Sequence, residues 1–257
     1  MRRMLLVWAL LLAGVFCLLQ QPMPKAYWQS RAQQASAAAC TAPSFDVNVN
    51  ASVFGDWSSG MTFTLSPLSS TGSNVVVVVF VEINGLAGTD TMTVTDSASL
   101  LSYGTSSFTG STWTGTNRLT TPGFFSEFVS KSSTSAPLAG DTLTVVTSSA
   151  TISFGTANAF VVDGVNLSSL FDPGGGVPNG SASAANATVF TSNPCTMIIN
   201  GLAETGTATP TAPWTQILQR NFLFTQYARF TSPQSSFTIP QFGGTSSRAI
   251  GDALTSP

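Results

Sequence analysis

The sequence predicts an all-β protein: a single large antiparallel β-sandwich behind an N-terminal apolar export helix. Three observations carry this. Residues 40–257 contain no histidine, one lysine and few other charges, while more than a quarter of them are Ser or Thr. The apolar runs there are short and rich in Val, Thr and Phe, with Gly, Pro, Asn and Ser between them, which is the pattern of strands and turns. Finally, residues 4–19 (MLLVWALLLAGVFCLL) form an unbroken apolar run directly behind Arg2 and Arg3.

That leading segment has the basic n-region and apolar h-region of an export signal. Two forms fit it. A cleaved signal peptide needs small residues at the cleavage site, and the nearest good ones are Ala37, Ala38 and Ala39, well downstream of Leu19. An uncleaved anchor needs about 20 apolar residues, and the run is slightly short. Either form places the rest of the chain outside the cytoplasm, because positive charge stays inside. The expected organisation is thus a signal or anchor at 1–22, a Gln/Ala-rich spacer at 23–39, and a β-sandwich domain at 40–257. Membrane contact is expected only through 4–19, and only without cleavage. A single sandwich commonly reaches about 200–250 residues.

Charge narrows the partners. Arg2, Arg3, Lys25 and Arg31 precede Cys40, and no acid does. Beyond it stand eleven acids against Arg118, Lys131, Arg220, Arg229 and Arg248, a net charge near −6. Nucleic-acid binding needs a basic stripe, and there is none. A mildly acidic, polar surface fits a polysaccharide, a surface glycan or the protein subunits of a surface assembly.

The clearest strand is 75–83 (VVVVVFVEI), apolar on both faces until Glu82. Such a strand is covered on both sides, by extra loops, a third layer or a partner subunit. Residues 91–96 (TMTVTD) alternate, with Met92 and Val94 inward. Further strands are expected at 124–129, 141–148, 159–165, 196–200, 222–230 and 236–239. Residues 171–183 (FDPGGGVPNGSAS) read as a long loop, and 248–254 as a closing strand or one helical turn. No fixed-period repeat is present, which counts against a β-solenoid and against a threonine-ladder ice-binding face.

The order of a Val-rich strand, a VTDS turn at 94–97, GDTLTV at 140–145, VDGV at 162–165 and AIGDALTSP at the end resembles the large secreted bacterial and phage surface β-sandwich modules of concanavalin/jelly-roll type. The resemblance implies exposure, adhesion or carbohydrate contact. It implies no catalytic residues.

Chemistry is sparse. Without histidine there is no Ser-His-Asp triad or Cys-His pair. Gly174-Gly175-Gly176 lacks the Lys-Ser/Thr of a phosphate loop. Glycoside hydrolysis alone survives, since it needs only two carboxyl groups at a set separation. Glu82, at the end of an apolar stripe, and Glu127, in an aromatic strand, are the candidate pair, although isolated acids on strands are usually structural. The better lead is aromatic. Trp57, Trp113 and Trp214, with Tyr103 and Tyr227, lie in Ser/Thr/Gly-rich contexts where a sugar ring can stack, and Asn117 and Arg118 follow Trp113 closely. Core packing is the ordinary use of such rings. Asp90, Asp96, Asp163 and Asp172 offer oxygen ligands to calcium, without EF-hand spacing; no other cofactor is expected.

Cys40 and Cys195 are the only thiols after the apolar run. In an oxidising compartment they read as one disulfide, stabilising by roughly 4–5 kcal/mol in the chain-entropy model.

Overall fold

The computed structural model describes residues 46–57, 62–64, 76–84, 91–97, 105–109, 112–115, 119–121, 125–131, 142–148, 154–174, 176–181, 187–203, 209–239 and 248–256. All lie within one compact unit, Cys40–Pro257. The expected export segment and spacer lie outside the described residues.

The described chain is β throughout, with no helix. In order the strands are β1 (Asp46–Trp57), β2 (Thr62–Thr64), β3 (Val76–Asn84), β4 (Thr91–Asp96), β5 (Thr105–Thr109), β6 (Thr112–Gly115), β7 (Leu119–Thr121), β8 (Phe125–Lys131) and β9 (Leu143–Thr147). They continue as β10 (Phe154–Asp163), β11 (Asn179–Ser181), β12 (Thr188–Val189), β13 (Thr196–Ala203), β14 (Thr215–Arg220), β15 (Leu223–Phe230), β16 (Phe237–Thr238) and β17 (Arg248–Thr255). The stretch at 248–254, open between strand and helical turn in the sequence, is a strand. The 159–165 run begins earlier than its apolar residues announce, because the small Gly155 and Ala157 continue the ladder of β10.

Three five-stranded sheets form, all of their ladders antiparallel. Sheet 1 has the order β1-β10-β3-β8-β7, sheet 2 β2-β9-β4-β5-β6, and sheet 3 β11-β17-β13-β15-β14. β12 and β16 make a small ribbon. Sheets 1 and 2 are built entirely from residues before 164, and sheet 3 entirely from residues after 178.

Sheet 1 is the middle layer. β-branched valines suit a pleated surface packed on both sides, and Val76 through Val81 are all fully buried. On one face Val76, Val78, Phe80, Phe125, Phe160 and Val162 pack against Met197, Ile199, Leu223, Tyr227, Ile250 and Leu254 of sheet 3. The alternate residues Val77, Val79, Val81, Ile83, Phe128 and Val161 are buried on the opposite face. Sheet 2 supplies that second cover. Its Met92, Val94, Leu143 and Val145 are buried, and its edge strands β2 and β6 adjoin the edge strands β1 and β7 of sheet 1. The doubly apolar strand is therefore covered by two layers of its own chain.

Two glycines set the spacing around sheet 3. A Cβ on Gly201 would stand 2.5 Å from Phe80 Cδ1 and 2.8 Å from Phe125 Cζ. Only a residue without a side chain lets those rings, stacked with centroids 5.8 Å apart, lie flat on β13. On the outer face of sheet 3, Gly251 makes room for Ile239, which with Val189 anchors the ribbon over Ile198, Leu202, Phe224 and Ala253.

Candidate functional site

The structure brings the two candidate carboxylates to one face. In the β3–β8 ladder Glu127 lies opposite Phe80 and Glu82 opposite Phe125. The two glutamates are thus diagonal neighbours on adjacent strands, a relation that spans about 7–8 Å in an antiparallel pair. That is the scale a glycosidase pair uses. Their surroundings are wrong for it. The face is the one packed against sheet 3, and Glu82 is 9% exposed while Glu127 is fully buried. Burial raises the Glu82 carboxyl to about 7, against a partial lowering by the Arg248 guanidinium. Arg248 Nη1 reaches Glu82 Oε1 at 3.4 Å, and Glu82 Oε2 has no hydrogen-bond partner. Glu82 in this state is about half protonated at neutral pH. This cluster is a polar inclusion in the core between sheets 1 and 3, and it faces packed side chains rather than solvent.

Asn158, also fully buried, donates from Nδ2 to the Leu223 carbonyl at 3.2 Å. At the rim of the same interface Arg220 Nε donates to Asp56 Oδ2 at 2.8 Å, while Thr156 Oγ1 donates to Asp56 Oδ1 at 3.1 Å. Next to this pair Phe222, at the tip of the β14–β15 hairpin, tilts against Phe154 with ring centroids 5.4 Å apart. The tip is a two-residue turn between Arg220 and Leu223, and Asn221 takes a left-handed φ of 45° there, as Asn tolerates.

The tryptophans are not brought together. Trp57 ends β1, opposite Gly155 at one edge of sheet 1. Trp113 lies in β6, opposite Phe108, at the far edge of sheet 2. The side chains of both lie outside the described residues, as do Asn117, Arg118 and Tyr103. Trp214 is a core ring: it is 7% exposed, packs with the outer cluster of sheet 3 and tilts against Phe237 at 5.4 Å. It offers little face to a sugar. Tyr227 likewise belongs to the core between sheets 1 and 3.

Of the calcium candidates, Asp172 is fully engaged as a hydrogen-bond acceptor. Its Oδ1 accepts from Gly174 N, Ser192 N and Ser192 Oγ, and its Oδ2 from Asn193 N, all within 2.9 Å. It pins the Gly-rich loop after β10 to the segment before β13, so the start of that loop is anchored. Asp96 and Asp163 end β4 and β10, and Asp90 lies outside the described residues. Among the described residues no three His, Cys, Asp or Glu side chains gather as a metal site. Cys195 is disulfide-bonded; its partner lies outside the described residues.

The surface of sheet 2 carries a feature the strand pattern only half announced. Directly opposed residues of an antiparallel pair share a face, so the register places the outward residues in rows. One row runs Thr64, Thr144, Thr95. The next runs Thr62, Val146, Thr93. A third joins Ser148, whose Oγ accepts from Thr91 N at 2.8 Å, to Thr91. Thr62, Thr64, Thr95, Val146 and Ser148 are exposed, and Thr91, Thr93 and Thr144 half-buried. No charged residue or aromatic ring stands in these rows.

Arg248 as the partner of Glu82, and Asp56 as the partner of Arg220, could not be found from the sequence, since each pair joins strands more than 160 residues apart. The scarcity of charge was the one available signal, because so few charged side chains must each have a particular place.

No protein-family model matches the chain, and no curated protein is found to match it. Among solved structures, it is similar to the CBM22-1–GH10 modules of Clostridium thermocellum endo-1,4-β-D-xylanase 10B complexed with xylohexaose. That match has 14% identity and a TM-score of 0.24, and covers 49% of this chain and 29% of that one. It is also similar to infectious bursal disease virus, Gt strain, with 12% identity, a TM-score of 0.23, and coverage of 85% of this chain and 43% of that one. The chain thus spans less than half the length of either, and likenesses this distant carry no functional argument.

Proposed function

We propose that the protein is an exported, non-catalytic β-sandwich module that works by surface contact, as an adhesive or carbohydrate-binding element. The observation that carries this reading is the division of polar groups. The candidate carboxylates Glu82 and Glu127 are enclosed between sheets 1 and 3, whereas the described exposed strand positions of sheet 2 carry neutral side chains, Thr62, Thr64, Thr95 and Val146. We further infer that sheets 1 and 2 form a jelly roll. Their orders β1-β10-β3-β8 and β2-β9-β4-β5 interleave as two Greek keys wound together, an arrangement that recurs in lectin and capsid domains. Cys40 is the proposed partner of Cys195.

Binding to a broad glycan and polysaccharide array tests the reading. Specific binding, lost in Trp113→Ala with the fold intact, supports a sugar site at β6 with Asn117 and Arg118. Retained binding in that variant removes the site assignment, and a blank array with folded protein removes the carbohydrate reading.

The jelly-roll order also favours a second reading, a structural subunit of an envelope, filament or virion. The covered faces of β3 leave that reading without the partner surface the strand itself would demand. A strict monomer by sedimentation at high concentration argues against it.

A further inference from the structure

We propose that the outer face of sheet 2 binds ice, through a two-dimensional array of threonine hydroxyls and methyls. This goes beyond contact with glycans and rests on strands β2, β9 and β4, at the other end of the sheet from β6. Strands in a sheet lie about 4.8 Å apart, and every second residue along a strand recurs at about 6.7 Å. Outward threonines in register therefore repeat in two directions, with spacings of the same order as those between oxygens on ice planes. Thr64, Thr144 and Thr95 make one row and Thr62, Val146 and Thr93 the next. The hydroxyls of Thr64 and Thr144 stand 3.5 Å apart, so the array orders its own side chains across the ladder.

Three properties select ice as the occupant. First, the rows are uncharged, although the face belongs to a chain with eleven acids. A charged side chain holds a mobile hydration shell that disrupts a lattice of water. Second, every threonine pairs a hydroxyl with a methyl group, and Val146, 37% exposed, adds a methyl position without breaking the row. A threonine surface can thus hydrogen-bond to ordered water and shelter it. Third, the described rows hold no aromatic ring, the group on which a sugar face stacks, so a crystalline polysaccharide is the poorer fit. Strands twist by roughly 20–25° per neighbour, so the array rests on the three adjacent strands β2, β9 and β4 rather than on the whole sheet. The array needs no sequence repeat, because its threonines come from strands that are distant in the chain and adjacent in the sheet.

The test uses the whole protein and three exposed or half-buried positions whose substitution leaves the core alone. Wild type, Thr93→Lys, Thr144→Lys and Val146→Lys are compared for inhibition of ice recrystallisation and for shaping of single ice crystals, with circular dichroism to verify the fold. Insoluble cellulose is assayed in parallel. The expected result is inhibition and faceting by wild type, lost in each folded lysine variant, with no loss in Thr215→Lys, an exposed position on β14 of sheet 3 outside the array. If a lysine variant fails to fold, Thr93→Val, which keeps the shape and removes the hydroxyl, must weaken inhibition. No effect of wild type on ice overturns the proposal, as does inhibition that survives the folded lysine substitutions. Binding to cellulose that the same variants abolish, without an effect on ice, also overturns it and assigns the face to a polysaccharide.

Discussion

On one side of β3, Val77, Val79, Val81 and Ile83 are buried, and no charged side chain stands directly opposite them on β8 or β10. On the other side Val76, Val78 and Phe80 are followed by Glu82, and the neighbouring strands add Glu127 and Asn158. The first face closes sheet 1 against sheet 2, within the part of the chain before residue 164. The second receives sheet 3, from the part after residue 178. The difference shows what each interface depends on. An apolar face is held by area and packing alone. A face with enclosed carboxyl groups is held by packing and opposed by their desolvation, so its strength depends on protonation.

The largest test is to remove packing from each side. Phe80→Ala deletes the ring that stacks on Phe125 and Phe160 and should cost about 3–5 kcal/mol. Val79→Ala, on the opposite face, should cost less, and the same amount at every pH. Chemical denaturation of the two variants measures both.

The next test isolates the carboxyl. In the native state Glu82 keeps its proton up to about pH 7, whereas the unfolded chain releases it near 4.5. Between those values the native state binds more protons, so stability falls as pH rises. Glu82→Gln should therefore be close to neutral near pH 4.5, and more stable than wild type by roughly 3 kcal/mol at pH 8. Urea midpoints across pH 4.5–8 check this, and parallel wild-type and variant profiles would sink it.

Gly201→Ala probes how closely sheet 3 approaches. Its Cβ would press on Phe80 and Phe125 and should cost about 1–3 kcal/mol, with the loss shrinking in a Phe80→Leu background. The smallest effect belongs to the rim. Arg220, with nearly half its side chain exposed, pairs with Asp56 in reach of solvent, and Arg220→Ala should cost no more than about 1 kcal/mol, diminishing in salt. A loss as large as that of Phe80→Ala would mean that the interface is held by its rim rather than by its core.

The strands were legible because their signal is local. Residues 91–96 alternate as a half-buried strand must, and β4 has those bounds. The valines of β3 announce burial on both sides in their own pattern, but not which layer covers which side. Trp214 shows where such local reading ends: a ring before a polar strand looks available, and only the ribbon and Phe237 packed beside it make it core. The glutamates show the same limit. Their residue type fitted a hydrolytic pair and the β3–β8 register made them neighbours, yet sheet 3, from far along the chain, lies over them.

By itself, then, the sequence determined the all-β class, eight of the seventeen described strands, the lack of histidine chemistry and the demand for two covers on β3, because composition and a two-residue period act within a few residues. The tertiary structure decided what depends on strands distant in the chain becoming neighbours. It enclosed Glu82 with Arg248, spread the tryptophans apart, and aligned scattered threonines into rows. The alternating pattern of a strand fixes which of its faces turns to the core, but which strands become its neighbours depends on connections and packing far along the chain.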